Sequence, residues 1–289
     1  MNSLQKSVLI TGCSAGGIGA ALASQFHQRG YYVFATARNP SKISENLSRA
    51  ANVKVLKLEV LSSDSIAAAV ESVRKETNGR LDVLVNNSGG GGSFLPALDI
   101  PIEEGKRLFD LNFWAPLVML QAFAPLLINA KGCIVNNTSS NAQLPLPLMS
   151  IYNASKAAFA TASETWRHEL QPLGVRTLTL YTCAVKTNFF VHSQRTELSE
   201  ASNNFEIRDF VHKISDGRLQ DGAIPSAKYA RTVVCQVEKG ASGPFWVGTN
   251  AFVARVACYI FPKSIFDSLV QSIVPISSEM AEASQKKRD

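Results

Sequence analysis

The stretch that decides the fold is Ser7–Gly19, which reads SVLITGCSAGGIG. Its first residues form a short apolar run, which predicts a strand over Ser7–Thr11. Glycines follow at once, and Ile18–Arg29 then shows a helical apolar pattern that Gly30 suits as a C-terminal stop. A strand, a glycine-rich turn and a helix in this order predict the start of a β-α-β unit.

Strand and helix patterns keep alternating after this unit. Further strands are predicted at Tyr31–Thr36, Val53–Leu58, Leu81–Val85, Cys133–Val135 and Val175–Tyr181, and further helices from Ser62, over Glu103–Asn129 and over Ser150–Leu170. Apolar strands that alternate with helices are typical of a parallel sheet covered on both faces. We therefore predict the α/β class, a doubly wound sheet in a single domain over residues 1–248. Such sheets bind ligands at the carboxyl ends of their strands.

Two segments have patterns of their own: one lies inside this domain and the other follows it. Residues 186–222 are polar and fit a loop or short helices equally well; because they follow the sixth strand, they are predicted to form a lid over the site. Residues 249–289 form an apolar segment that ends in a polar tail, Ser277–Asp289.

Composition narrows the class of protein. The 289 residues are 46% hydrophobic and 18% charged, which argues against disorder. Five cysteines without a CxxC spacing argue against a disulfide framework or a zinc site and indicate a reducing, cytoplasmic location. The net charge of +6 fits an anionic ligand, an anionic membrane surface or simply solubility. The histidines share no metal-ligand spacing: His27, His168, His192 and His212.

The glycine turn predicts a phosphate site. Glycines let a backbone approach a pyrophosphate closely, and the N-terminus of the following helix offers free N–H groups to it. An ordinary strand-to-helix turn is the alternative. The candidate contacts in the turn are Gly12, Ser14, Gly17, Ile18 and Gly19. At the end of the second strand, Arg38 stands where an acidic residue would bind an unmodified ribose. Its guanidinium suits a 2′-phosphate, so NADP(H) is predicted; an ordinary surface arginine is the alternative.

Tyr152 and Lys156 lie four residues apart at the start of a predicted helix and so share one face. A nearby ammonium would lower the phenol pKa, which allows the pair to donate or remove a proton. Ser139 follows the fifth strand, where its hydroxyl could hold a carbonyl oxygen; a polar strand end is the alternative. Alternation along the strand would turn Thr138 and Ser140 the other way.

Asn112 lies within the long predicted helix, four residues before Pro116. Because proline has no N–H, the carbonyl of residue 112 loses its usual donor. We hypothesise that this carbonyl binds a water that links to Lys156 and relays protons. A tolerated kink is the alternative.

Together these motifs resemble the short-chain dehydrogenase/reductase family over residues 6–190. The resemblance rests on the glycine turn, on Asn86-Asn87-Ser88-Gly89, and on Asn112, Ser139 and Tyr152-Asn153-Ala154-Ser155-Lys156. It implies a Rossmann-type fold and hydride transfer between NADPH/NADP+ and a carbonyl or alcohol. It also implies a homodimer or homotetramer formed through the helices that carry Asn112 and Tyr152. The implied catalytic set is Asn112, Ser139, Tyr152 and Lys156, and the implied cofactor contacts beyond the turn are Arg38, Glu59, Val60, Asn87, Tyr152, Lys156, Val185 and Thr187.

Four departures from the family pattern stand out. The glycine turn has one extra residue, Glu59 replaces an aspartate, Ser88 replaces an alanine, and Thr182-Cys183 replaces Pro-Gly. A narrower resemblance, carried by Gln121–Leu127, Ile134–Ser139 and Val185–Phe190, is to fungal reductases related to NADPH-dependent 1-acyldihydroxyacetone-phosphate reductase. It implies a lipid or secondary-metabolite substrate.

The sequence therefore predicts an enzyme that reduces a ketone or aldehyde with NADPH. A non-redox protein that binds the cofactor structurally and guides another reaction is the alternative, and a membrane-docked lipid-binding module without turnover is the third. No nucleic-acid or metal site is predicted. The aromatic-rich stretch Phe245–Phe266 could pack on the protein itself or a dimer partner, line the substrate pocket, or contact an intracellular membrane; Ile265, Phe266, Leu269, Val270 and Ile273 form one helical stripe.

Overall fold

A computed structural model describes residues 5–190 and 197–286. Seven strands form one sheet in the order β3-β2-β1-β4-β5-β6-β9, with every neighbouring pair parallel. These seven strands are β1 Ser7–Ile10, β2 Tyr32–Ala37, β3 Val53–Lys57, β4 Val83–Asn86, β5 Cys133–Asn137, β6 Arg176–Thr182 and β9 Gly243–Val247. Two short strands, β7 Val185–Lys186 and β8 Ile224–Pro225, pair in a separate two-stranded sheet. The predicted doubly wound α/β fold is confirmed, and β9 is a seventh strand that the sequence analysis did not include.

The helices cover both faces of this sheet. They are α1 Ile18–Gln28, α2 Glu45–Ser48, α3 Ser63–Thr77, α4 Ile102–Phe109, α5 Ala115–Ala130, α6 Ser150–Leu170, α7 Arg208–Ser215, α8 Ser226–Glu238, α9 Ala251–Ile260, α10 Lys263–Ile273 and α11 Ile276–Lys286. Side chains alternate along β1, so that Val8 and Ile10 join the core under α1 and α8, while Leu9 joins the core under α5 and α6. Both faces of the sheet are therefore apolar, as a parallel sheet requires.

The long helix predicted over Glu103–Asn129 is interrupted. Asp110–Trp114 form one π-helical turn between α4 and α5, and the N–H of Ala115 donates to the carbonyl of Asp110. Pro116, which has no N–H to donate, lies two residues after this turn, and π-helical turns are frequent at functional sites. Ile102–Ala130 is long and apolar enough to cross a membrane by length and composition alone, and 44% of its apolar window is buried in the protein.

The C-terminal segment is helical to Lys286, so α11 includes most of the stretch predicted as a polar tail from Ser277. Ile276, Met280 and Ala283 pack against the same apolar cluster as Tyr152, so an apolar stripe hidden among polar residues docks this helix. Within residues 186–222, predicted to form a lid, the structure has α7 and 3-10 turns at Phe205–Ile207 and Arg218–Gln220, and the paired strands β7 and β8 lie at the two ends of this segment. Residues 191–196 of that lid, including His192, lie outside the described residues.

Candidate active site

Ser139 and Tyr152 meet at the carboxyl end of β5. Ser139 follows this strand and caps a 3-10 turn by accepting from the N–H of Asn141 at 3.1 Å. Tyr152 enters from the first turn of α6, and its hydroxyl lies close enough to Ser139 for the serine hydroxyl to lower the pKa of the phenol. Both side chains are buried. Thr138 turns the other way, with its hydroxyl donating to the carbonyl of Leu180 at 2.6 Å. The sequence therefore brings one phenol and one hydroxyl together where the sheet can bind a ligand.

Lys156 lies one helical turn along α6 from Tyr152. Its Nζ is 5.9 Å from the centre of the Tyr152 ring and donates to the Asn137 carbonyl at 3.1 Å. Burial lowers the pKa of the Lys156 ammonium to about 8. Burial also raises the pKa of Tyr152, and the neighbouring Ser139 hydroxyl lowers it by less. The expected lowering of the phenol pKa is therefore wrong for the protein alone, because desolvation of the phenolate outweighs the lowering by Ser139.

Asn112 ties the loop after β4 to α6. Its fully buried amide accepts from the N–H of Gly90 at 2.9 Å, donates to the carbonyl of Gly90 at 3.0 Å and donates to Ser155 Oγ at 3.0 Å. A Cβ on Gly89 would lie 3.0 Å from Asn112 Oδ1 and 3.3 Å from Lys156 Nζ. The π-turn thus places Asn112 beside Lys156. The water relay through its carbonyl stays a prediction.

The glycine turn provides a close approach for a ligand. Gly12 has a φ of +75°, and Gly17, in extended conformation, caps α1 with no side-chain hydrogen bond at the cap. A Cβ on Gly19 would collide with the Gly12 carbonyl oxygen and with Asn87 Nδ2, so only glycine allows this packing. Ser14 and Ile18 are partly exposed in the same turn. The free N–H groups at the start of α1 and the glycine backbone of the turn fit the pyrophosphate of a dinucleotide.

The chain that follows β7 contacts the glycine turn. The N–H of Asn188 donates to the carbonyl of Gly16 at 3.2 Å, and its amide donates to the carbonyl of Ala15 at 3.4 Å. A Cβ on Gly16 would collide with this amide. The chain after β7 therefore closes over the turn, a contact that no sequence motif indicated.

Arg38 and Glu59 lie at the carboxyl ends of β2 and β3, on the far side of β1 from Tyr152. The Arg38 side chain is 82% exposed, and its Nε is 3.8 Å from Glu59 Oε2. The backbone N–H of Glu59 donates to Ser65 Oγ at 2.9 Å, and the adjacent Val60 is buried. An exposed guanidinium with one long ion pair can reorient toward a phosphate.

The remaining predicted cofactor residues are Asn87, which follows β4, and Val185 and Thr187, which come after β6. Asn87 Nδ2 donates to the carbonyl of Thr11 at 2.8 Å and to that of Gly12 at 3.3 Å. Val185 is buried in the two-stranded pairing of β7 with β8. The N–H of Thr187 donates to Gln220 Oε1 at 3.1 Å, which joins the two ends of the predicted lid. The predicted site residues therefore lie along the carboxyl ends of the sheet strands, from Arg38 after β2 to Ser139 after β5.

An apolar wall borders Tyr152. The centre of the Tyr152 ring lies 6.0 Å from that of the Phe189 ring, in an edge-to-face arrangement. The Phe94 ring stacks on the Phe190 ring, with 5.1 Å between the ring centres. Leu198, Ile207, Phe210, Val211 and Ile214 of the lid pack into the same cluster. No sequence pattern predicted this apolar wall, although the Phe189-Phe190 pair beside a polar segment was a visible signal. Among the described residues, no group of three metal-ligating side chains occurs.

Comparison with known proteins gives the class. Residues 6–198 match the family model for short chain dehydrogenase. The chain is 46% identical over 290 residues to the NADPH-dependent 1-acyldihydroxyacetone phosphate reductase of Schizosaccharomyces pombe, covering 95% of this chain and 96% of that one. It is 40% identical over 274 residues to the short-chain dehydrogenase ptmH of Penicillium ochrochloron, covering 94% and 99%.

The fold of a solved structure agrees. A short chain dehydrogenase from Burkholderia cenocepacia J2315, in complex with NADP, superposes with a TM-score of 0.70 at 21% identity, covering 95% of this chain and 99% of that one. The chain belongs to the short-chain dehydrogenase/reductase family. It is an oxidoreductase of the class that acts on alcohols and ketones with a nicotinamide cofactor.

Proposed function

We propose that the protein is an NADPH-dependent reductase of ketones or aldehydes, in which Asn112, Ser139, Tyr152 and Lys156 act together. The observation that carries this proposal is the convergence of three buried side chains at the end of β5: Ser139, Tyr152, and Lys156, whose Nζ lies 5.9 Å from the centre of the Tyr152 ring. NADPH, when bound, supplies the hydride that reduces the carbonyl carbon. Gly12, Ser14, Gly17, Ile18 and Gly19 would hold its pyrophosphate.

Tyr152 would donate its phenolic proton to the carbonyl oxygen that becomes the alcohol. Ser139 would hold this oxygen by a hydrogen bond, and Lys156 would bind the cofactor ribose and stabilise the phenolate left after the proton leaves. Since burial raises the pKa of Tyr152, the phenol holds its proton at neutral pH and is ready to donate it.

Replacing Tyr152 with phenylalanine tests this role. We expect NADPH consumption with a ketone substrate to fall by roughly 10²–10⁴-fold, the usual contribution of a general acid. Binding of NADPH, measured by titration, should stay near that of the unchanged protein. Full activity in the variant would refute the role. The non-redox alternative makes the opposite prediction for the unchanged protein, namely turnover without loss of NADPH absorbance.

Preference for NADPH is supported by two observations. Arg38 presents an exposed guanidinium where a 2′-phosphate would lie, and the S. pombe relative is named as NADPH-dependent. Glu59 and Val60 would border the adenine, and Asn87, Val185 and Thr187 would border the nicotinamide side of the proposed cofactor crevice along the carboxyl ends of the strands.

The substrate class that fits best is a lipid or a secondary metabolite. The apolar wall around Tyr152 suits an acyl chain or a polyketide-like carbonyl, and the S. pombe relative is named for a lipid substrate. Residues 186–222 would close over this substrate as a lid. A screen of acyl-dihydroxyacetone phosphate against neutral polyketide-like ketones, read as NADPH consumption, separates the two substrate types.

The α4–α5 surface is proposed to bind a second copy of the chain. Ile102, Trp114 and Val118 are exposed on these helices, and an isolated monomer would leave them in water. A homodimer or homotetramer on size-exclusion chromatography with light scattering is expected. A monomer under all concentrations would contradict it.

The C-terminal segment is proposed to touch an intracellular membrane while the protein itself is cytoplasmic. The inner face of α9 and α10 packs on the protein through Ala257 and Val270, but Phe252, Tyr259 and Ile260 are 78%, 60% and 71% exposed. Residues 240–266 contain no acidic side chain and two basic ones, so the surface suits an anionic bilayer. Flotation with anionic vesicles should be lost when Phe252 and Ile260 are changed to serine.

A further inference from the structure

A buried network of hydrogen bonds crosses the sheet below the candidate site. Tyr229, fully buried on α8, lies with its hydroxyl 2.7 Å from Thr182 Oγ1, at the end of β6. Thr182 donates to Asn137 Oδ1, at the end of β5, at 2.6 Å, and the Tyr229 hydroxyl is also 3.3 Å from this oxygen. None of these three residues was singled out for this role from the sequence.

The chemistry of the groups gives the network one direction. An amide oxygen only accepts, so the single hydroxyl proton of Thr182 goes to Asn137. Thr182 must then accept from Tyr229. Asn137 Nδ2 donates onward to Asn87 Oδ1 at 2.9 Å, and Asn87 donates to the carbonyls of Thr11 and Gly12. The orientation of both amides is therefore set from Tyr229 through to the glycine turn.

Asn137 also contacts Lys156, at the catalytic end of the site. The backbone carbonyl of Asn137 accepts from Lys156 Nζ at 3.1 Å. Asn137 thus touches the residue proposed to bind the cofactor ribose, and through Asn87 it touches the turn proposed to bind the pyrophosphate. A shift of this one residue moves both contacts.

Thr182 is the position at which this chain differs from the Pro-Gly pattern of the resembling family. A proline there has neither a hydroxyl nor an N–H, and so could not donate to Asn137. Without that donor, Asn137 Oδ1 would keep only the 3.3 Å contact with Tyr229. A buried amide with an unmet acceptor is costly, and it can rotate to find another partner.

We propose that Thr182 and Tyr229 are positioning residues that set dinucleotide affinity and the placement of Lys156 by fixing the amides of Asn137 and Asn87. This inference rests on the proposed function, since it assigns the network to the same cofactor crevice. It acts through the protein's own hydrogen bonds, and neither residue needs to touch the substrate.

The test compares Thr182→Val, which removes the hydroxyl at nearly constant shape, with Thr182→Ser, which keeps it. We expect the Kd for NADP+, measured by calorimetric titration, to rise about tenfold in Thr182→Val, since losing a partner of a buried polar group costs on this scale. Thr182→Ser should bind within about twofold of the unchanged protein. Tyr229→Phe should weaken binding less than Thr182→Val, because Thr182 still donates to Asn137.

A second readout separates positioning from general loss of stability. In Thr182→Val the Lys156 ammonium has a less well placed acceptor, so the alkaline fall of the reduction rate should move to lower pH. Lower thermal stability alone would not move this profile. Equal NADP+ affinity and equal pH profiles in Thr182→Val and Thr182→Ser would overturn the inference. If the unchanged protein bound no dinucleotide, the proposed function would fall as well, so the two failures can be told apart.

Discussion

Replacing Lys156 with methionine should remove a pH dependence of stability that the buried ammonium creates. Burial lowers the pKa of Lys156 from 10.5 to about 8. Between these two values the unfolded chain keeps the proton that the folded protein has lost, so the free energy of unfolding rises with pH. Below about pH 8 both states hold the proton, and the folded protein carries the full cost of the buried charge. At about 1.4 kcal/mol per pKa unit, that cost is about 3 kcal/mol.

The assay is urea unfolding of the unchanged protein and of Lys156→Met at several pH values from 7.5 to about 10.5. The difference between the two free energies of unfolding should change by about 3 kcal/mol across this range, in favour of the unchanged protein as the pH rises. Other groups titrate alike in both proteins and cancel. Lys57→Met is the matched control, because Lys57 is exposed on β3. Parallel pH curves for the unchanged protein and Lys156→Met would refute the reasoning.

Three further changes probe the remaining parts of the crevice. Ser139→Ala should lower kcat by about 10²-fold with little change in the Kd for NADPH, as expected for one lost donor to the reacting oxygen; a change in Kd alone would contradict its role. Arg38→Glu should lower kcat/KM for NADPH by about 10–100-fold and raise it for NADH, because a charged hydrogen bond to the 2′-phosphate becomes a repulsion; an unchanged ratio of the two cofactors would remove this assignment. Gly19→Ala should lower the free energy of unfolding by about 1–3 kcal/mol and weaken NADPH binding, because the added Cβ would collide with the Gly12 carbonyl oxygen. Chemical denaturation measures the first effect and titration with NADPH the second, and a fully stable variant with normal affinity would contradict the packing.

The architecture was predictable because apolar residues recur with a different period in strands and in helices. Alternating apolar strands and helices specified the parallel sheet, and the ends of α6 agree with the predicted Ser150–Leu170. β9 was missed because Gly243 and Pro244 hide its short apolar core. The π-turn at Asp110–Trp114 was not predicted, since Pro116 indicated an interruption but not its geometry.

The site was predictable only where a motif fixes the spacing. The pair Tyr152 and Lys156 was found this way, and the structure places Ser139 beside it. Asn137 was overlooked because its role depends on contacts with β6 and α8, which are distant in sequence. Its one visible signal was a second amide in an otherwise apolar buried strand. Tyr229 gave no signal, because it lies in the apolar stripe of α8.

Burial also bears on the direction of the reaction. It raises the pKa of Tyr152 and lowers that of Lys156 to about 8, so it opposes a charged phenolate–ammonium pair from both sides. Lys156 is held by a carbonyl of Asn137, a neutral acceptor that leaves the ammonium uncompensated. A carboxylate there would have raised the lysine pKa and neutralised its charge. At neutral pH the site therefore holds a protonated phenol and a positively charged lysine.

That state suits the donation of a proton to a carbonyl oxygen, whereas oxidation of an alcohol needs the phenolate first. We expect reduction to dominate at neutral pH and oxidation to gain as the pH rises, which paired rate measurements in both directions would check. An oxidation rate that is highest at acidic pH would contradict this reading of the pair.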